Sequence, residues 1–250
     1  MMSAALDPRI VGARGQEWPA LPEPEYRPLH RAILTALGGV AGLRLLDVGC
    51  GVGQLLRAAE LGGALAAGVD PAAELLEIAR WGLPDADLRV GEATDLPFDN
   101  GCFDVAVSTD GATCCLPELV RVTRPGGRVA VGGVVRPAGC WAEAFADQLS
   151  RLVPGYETRP EDPTTRLAAA GLVLDTTGDV RFTTSYPTRT AAWASLLGNA
   201  RLMAAIESAG EQPVRQAFCA AIAPAVRRDG TVDLPKAFSY AIARTPARAS

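Results

Sequence analysis

The residues whose types and spacing point to chemistry are Asp47, Gly49, Gly51 and Gly53, in the run Leu45-Leu46-Asp47-Val48-Gly49-Cys50-Gly51-Val52-Gly53. They are followed by Asp70-Pro71, which closes the apolar run from Leu65 to Val69. An apolar run that ends in an acid and a glycine-rich turn, with a helical pattern immediately after it, is how a parallel strand passes its chain to a helix. Glycines remove side chains where backbone must turn sharply and approach a ligand, and the helix beyond begins with unpaired N–H groups. Asp70, at the end of the next apolar run, is placed to accept hydrogen bonds from ribose hydroxyls, as the acid does in dinucleotide folds. A phosphate loop of the Gly-x-x-x-x-Gly-Lys-Ser/Thr kind is excluded, because the only lysine is Lys236. A Gly-x-Gly-x-x-Gly fingerprint is excluded too, because the third glycine comes one residue early. The plain alternative is a glycine-rich turn that holds no ligand.

The elements that must position these residues follow from the pattern on either side. Leu43–Val48 reads as a strand, Gly53–Leu61 as its helix, Leu65–Asp70 as a second strand and Ala72–Trp81 as a helix. Pro71 takes a first-turn position, where its missing N–H costs little. Leu88–Val90, Phe103–Ser108 and Arg128–Val131 read as further strands, Leu116–Thr123 as a helix, and Arg124-Pro125-Gly126-Gly127 as a tight turn. Regular alternation of this kind argues for a parallel sheet covered on both faces. Trp141–Leu152 reads as an amphipathic helix, Pro154–Pro163 as a connection, and Thr164–Ala170 as a short helix closed by Gly171. Val173–Asp175 and Val180–Thr184 carry strand character, Thr190–Leu197, Ala200–Ala209 and Val214–Val226 read as helical, and Ala237–Ala243 reads as a last strand. Ahead of all this, prolines at 8, 19, 22, 24 and 28 prevent regular structure. Leu29–Leu37 then has helical spacing and is stopped by Gly38-Gly39.

At 250 residues the chain suits one large α/β domain, here expected as an arm and lid helix over 1–40 and a domain over 41–250, with a helical cap at 188–228 inside it. A net charge of −4 argues against a partner held mainly through nucleic-acid phosphates. No run of eighteen apolar residues exists to cross a membrane, and no basic segment followed by an apolar core opens the chain, so the expectation is a cytoplasmic protein. The cysteines are Cys50, Cys102, Cys114, Cys115, Cys140 and Cys219, with no Cys-x-x-Cys pair. With His30 as the only histidine, a metal site has too few well-spaced ligands, and none is expected.

Three blocks stand in order: the glycine run at 45–53, Gly-Glu-Ala-Thr-Asp-Leu-Pro-Phe-Asp-Asn-Gly-Cys-Phe-Asp-Val at 91–105, and Leu-Val-Arg-Val-Thr-Arg-Pro-Gly-Gly-Arg-Val at 119–129. With the spacing Asp-x-Gly-x-Gly-x-Gly, they make the chain resemble the class I S-adenosylmethionine-dependent methyltransferases, within the type 11 group related to the ubiquinone and menaquinone biosynthesis enzymes. The resemblance is strong over about residues 40–135 and looser beyond. It implies a doubly wound, Rossmann-like α/β fold with a mainly parallel seven-stranded sheet, the last strand antiparallel. It implies methyl transfer from S-adenosylmethionine, leaving S-adenosylhomocysteine, to a small-molecule acceptor in specialised metabolism.

Carried over residue by residue, the resemblance implies that the backbone of Gly49, Cys50, Gly51 and Gly53 holds the methionine and ribose part, with Asp47 orienting the loop. Asp70, with Pro71 after it, binds the ribose hydroxyls, Glu92 and Ala93 bind the adenine, and Thr109 faces the methionine region. Glu92 is one methylene longer than the aspartate common there. Strand four runs into Ser108-Thr109-Asp110-Gly111-Ala112 with no Asn/Asp-Pro-Pro-Tyr block, which disfavours adenine-type nucleic-acid substrates. The connection from there to Leu116 is several residues shorter than in relatives. If the acceptor is an alcohol or phenol, a base is needed, and His30 is the candidate, ahead of Asp110 and Tyr26; an ordinary surface or capping histidine is the alternative. Trp18, Tyr26, Trp141 and Trp193 are candidates for the acceptor pocket, against core packing. The alternative function is a methyltransferase-fold protein that performs a cyclisation or isomerisation, or a cofactor-binding partner subunit. Monomer and homodimer both stay open.

Overall fold

The computed structural model describes residues 26–109, 115–135, 139–156, 162–197 and 199–247. Helix α1 (Arg27–Ala36) precedes a sheet region in which β1 (Arg44–Val48), α2 (Gln54–Leu61), β2 (Leu65–Asp70), α3 (Ala73–Gly82), β3 (Asp87–Val90), β4 (Phe103–Ser108), α4 (Leu116–Val122) and β5 (Thr123–Val134) follow in turn. Then come α5 (Trp141–Leu152), α6 (Pro163–Ala169), β6 (Val173–Tyr186), α7 (Arg189–Ala194), α8 (Ala200–Ala209), α9 (Glu211–Ala221), a 3₁₀ turn (Ala223–Ala225) and β7 (Val232–Arg244).

The seven strands form one sheet in the order β3-β2-β1-β4-β5-β7-β6. β1 pairs in parallel with β2 and β4, β2 with β3, and β4 with β5. β7 runs the other way. The Thr245 N–H donates to Gly127 O while the Val135 N–H donates to Ala237 O, so β7 descends as β5 ascends. On its other side Ser185 Oγ donates to Asp233 and Arg244 pairs with Asp175, which makes β6 antiparallel to β7 as well. The doubly wound, mainly parallel seven-stranded sheet with a reversed last strand is therefore the architecture present.

Several local expectations need correction. Val173–Asp175 and Val180–Thr184 are parts of one fourteen-residue strand, because Gly178 lets the Tyr240 ring lie against the backbone between them. A Cβ at 178 would stand 2.5 Å from the Tyr240 hydroxyl. The tight turn at 124–127 is looped out within β5, where Phe103 pairs with Thr123 but Val105 pairs with Arg128. Gly127 is needed there, since its Cβ would meet Thr123, the Arg124 carbonyl and the Asp104 carbonyl within 3 Å. The last long helix starts at Glu211, with Pro213 accommodated in its first turn, and stops at Ala221.

The described residues divide into two compact units. One is built from those within 26–133, 161–180 and 238–250, and its core gathers Leu46, Val48, Ala67, Val69, Phe103, Ala106, Leu119, Val129, Val131 and Ala241. The other is built from those within 134–160 and 181–237. Its core packs Trp141, Phe145 and Trp193 around Phe218, with ring centroids 6.0, 5.5 and 5.5 Å away. No described helix is long and apolar enough to cross a membrane.

Candidate functional site

β1 and β2 lie side by side with Asp47 opposite Gly68 and Val48 opposite Val69, so both strands deliver their last residues to one edge of the sheet. Beyond Val48 the backbone makes a turn with positive φ at Gly49 (79°), Gly51 (52°) and Gly53 (79°), a conformation that costs residues with a Cβ about 1–2 kcal/mol each. The Gly49 and Cys50 N–H groups donate to Val69 O at 2.8 and 3.1 Å. Gly53 is the N-cap of α2, and a Cβ on it would stand 2.4 Å from Leu83 Cδ1. Gly68 is required by the same packing: a Cβ there would be 2.7 Å from both Cys50 Sγ and Leu56 Cδ1. Cys50 is thus a buried apolar plug under the turn, which is a packing role.

Asp70 ties this turn to the next. The Gly51 N–H donates to Asp70 Oδ2 and the Ala72 N–H, beyond Pro71, donates to Oδ1, both at 2.9 Å. Burial pushes the Asp70 carboxyl up from its ordinary value, the two backbone donors pull it back, and the charge of Glu92 adds to the upward push. Each carboxylate oxygen keeps a second lone pair after these bonds, so the two ribose hydroxyls expected at Asp70 have acceptors there. Glu92 is exposed beside an isolated bridge to Asp95, while Ala93 is half-buried against the core. Asp47 is buried under the loop at 4% exposure. Gln54, the first residue of α2, carries a buried Oε1 with no hydrogen-bond partner among the described residues. The sequence reading missed it; the signal was a polar side chain directly after the last loop glycine. These features fit an adenosyl ligand: a backbone turn with glycine at alternate positions, a braced carboxylate and an unmatched acceptor at the helix start.

Thr109, one residue beyond β4, is buried, and its Oγ1 lies 3.4 Å from His30 Nε2. β4 pairs with β1, Val107 opposite Asp47, so Thr109 stands on the same edge of the sheet as the glycine turn. His30 belongs to α1 and is 9% exposed, with its Nδ1 unpartnered among the described residues. Burial holds its imidazole at a pKa of about 4. Tyr26 sits between His30 (6.1 Å) and the Phe238 ring (5.0 Å). Trp141 donates through Nε1 to Pro235 O at 2.8 Å. Trp193 is 3% exposed in the second unit's core, with Nε1 unpartnered among the described residues. Trp18 and Asp110 lie outside the described residues. Among the described residues no three metal-ligating side chains gather.

A sheet in this strand order, reversed only at β7, with a glycine turn after β1 braced by an acid at the end of β2, defines a class I methyltransferase fold. A family model described as a methyltransferase domain matches residues 46–131. The chain is 30% identical over 142 residues to a demethylmenaquinone methyltransferase of Renibacterium salmoninarum, a match covering 54% of this chain and 60% of that one. It is 34% identical over 127 residues to the nocamycin O-methyltransferase of Saccharothrix syringae, covering 45% of each. The chain therefore spans about half the length of the curated relatives it matches. In fold it is similar to a putative methyltransferase of Bacillus halodurans, with a TM-score of 0.61 at 16% identity, over 86% of this chain and 98% of that one.

Proposed function

We propose that the chain is a cytoplasmic enzyme that transfers a methyl group from S-adenosylmethionine to a small organic acceptor in specialised metabolism. The observation that carries this reading is the Asp70 brace, which fixes the glycine turn and the ribose-binding acid in one frame through Gly51 and Ala72. Relatives named for demethylmenaquinone and nocamycin methyltransferases support a small acceptor.

In this reading the backbone of Gly49 to Gly53 holds the methionine and ribose part, and Asp70 accepts from the ribose hydroxyls. Glu92 and Ala93 hold the adenine, and Gln54 Oε1 accepts one further donor. When bound, S-adenosylmethionine supplies an activated methyl carbon on a sulfonium. Glu92 lies near enough to Asp70 for its charge to raise that carboxyl, so acidic groups gather at this end of β2 and β3. The remaining work of the chain is to align the acceptor and exclude water, which in well-oriented reactions is worth on the order of 7–11 kcal/mol.

Calorimetric titration of the protein and of Asp70→Ala with S-adenosylmethionine, S-adenosylhomocysteine and NAD tests the reading. Micromolar binding of the first two, lost in the variant, is the expected result; binding of neither overturns it. A second reading, a cyclisation or isomerisation on the same fold, is favoured by the weak basicity of the buried His30. Formation of S-adenosylhomocysteine in step with a heavier product excludes it.

A further inference from the structure

The only histidine of the chain is buried at the sheet edge that carries the glycine turn, and its contacts decide what it can do. Nδ1 has no partner among the described residues, and Nε2 faces Thr109 Oγ1 at 3.4 Å, longer than a settled hydrogen bond. A neutral imidazole carries its proton on one nitrogen only. Placed on Nδ1, that proton makes a buried donor with no acceptor among the described residues, which is costly. Placed on Nε2, it points to the Thr109 side. The Nε2–H tautomer is therefore the one this environment selects. His30 and Thr109 then present two neutral donors 3.4 Å apart, close enough for one oxygen to lie about 2.8 Å from both.

We propose that His30 Nε2–H and Thr109 Oγ1–H together bind an anionic oxygen of the acceptor, so that the methylated group is an oxyanion that arrives already ionised, an enolate or the phenolate of a strongly acidic phenol. This rests on the methyl-transfer reading above. Burial supports it from the other side. With its pKa at about 4, His30 is too weak a base to take the proton of an ordinary phenol, at about 10, still less that of an aliphatic alcohol. A donor that stays neutral has the opposite virtue: it binds an oxyanion without adding a second cation beside a sulfonium. In the step itself an oxygen lone pair forms the O–CH₃ bond, the carbon–sulfur bond breaks with its electrons left on sulfur, and no proton has to move. A carboxylate offers the same oxygen chemistry, and the test separates it.

The test uses His30→Gln, which keeps a neutral N–H donor and removes any basicity, against His30→Leu, which removes both, with Thr109→Ser against Thr109→Val. Binding of S-adenosylhomocysteine is measured first in every protein. Binding and methylation of 4-hydroxycoumarin (an acidic enol), 4-nitrophenol, benzoate, phenol and aniline are then measured. The expected result is methylation of the enol and the acidic phenol. Their binding should weaken about 10- to 100-fold in His30→Leu and Thr109→Val, the range for a lost hydrogen bond to a charged group, and stay within a few-fold in His30→Gln and Thr109→Ser. A benzoate-only response overturns the enolate class, and aniline accepted in place of the oxyanions overturns the pair's role. His30→Gln as damaged as His30→Leu also overturns it, because that is the behaviour of a base. Wild type that binds S-adenosylhomocysteine but none of the oxyanions overturns this inference alone. Wild type that does not bind S-adenosylhomocysteine overturns the methyl-transfer reading and takes the inference with it.

Discussion

His30 makes the electrostatics of the site directly measurable, because a chain with a single histidine gives a single imidazole signal. Its folded pKa of about 4 lies below the 6.5 of an exposed imidazole, and burial is the cause. Between those two values the unfolded chain binds a proton that the folded protein does not. Stability therefore rises with pH across that window, by about 1.4 kcal/mol per pH unit. The contribution is fully present above 6.5 and is lost as pH falls towards 4. The difference of 2.5 units between the two values sets a limit of about 3.4 kcal/mol, of which about 2 kcal/mol is gone by pH 5. Asp70 acts in the opposite direction, since its raised carboxyl favours folding below its unfolded value and loses that favour as pH rises through the folded one. Comparing wild type with His30→Gln cancels Asp70, which both share. The assay is a titration of ¹³C-labelled histidine by NMR from pH 7.5 to 4.5, with urea unfolding of both proteins at each pH. The imidazole signal should hold its neutral position to about pH 5, and the stability difference between the proteins should shrink on acidification. A signal that titrates near 6.5, or a stability difference that is flat with pH, refutes the burial argument and with it the neutral donor.

Three further outcomes follow from the glycine turn. Gly53→Ala adds a Cβ at positive φ and 2.4 Å from Leu83 Cδ1; the expected loss, read by urea unfolding, is about 2–4 kcal/mol. Gly68→Ala should cost about 1–3 kcal/mol by pressing on Cys50 and Leu56, and Cys50→Ala in the same chain should return part of it. Asp70→Asn turns one of the two carboxylate oxygens into an NH₂ group that must face the Gly51 or Ala72 N–H. The expected cost is about 1–3 kcal/mol of stability together with weaker S-adenosylhomocysteine binding by calorimetry.

The glycine turn and the acid at the end of β2 were legible in the sequence because their determinants are local. Asp47 to Gly53 and Leu65 to Pro71 are contiguous stretches in which strand, turn and helix start can be read from residue type, whereas the Gly51–Asp70 bond that joins them was not read. What was not legible depends on distant pairs. Nothing near Gly178 announces that Tyr240 will cover it, so polar Thr176, Thr177 and Asp179 made one strand look like two. Nor does anything near His30 announce Thr109, 79 positions on. The histidine's chemistry follows from that pairing: exposed, it would be a base near neutrality, whereas buried against one hydroxyl it becomes a weak base and a neutral donor. The residue type nominated the position, but the burial contributed by a strand end far along the chain decides between the two roles. Asp70 carries the complementary lesson. Its two oxygens already accept from Gly51 and Ala72, so the acid proposed to receive the ribose also holds the glycine turn in shape, and a substitution there perturbs binding and folding together. The His30–Thr109 pair stands outside the Gly51–Asp70–Ala72 brace, so the test of the acceptor pair does not begin by breaking the glycine turn.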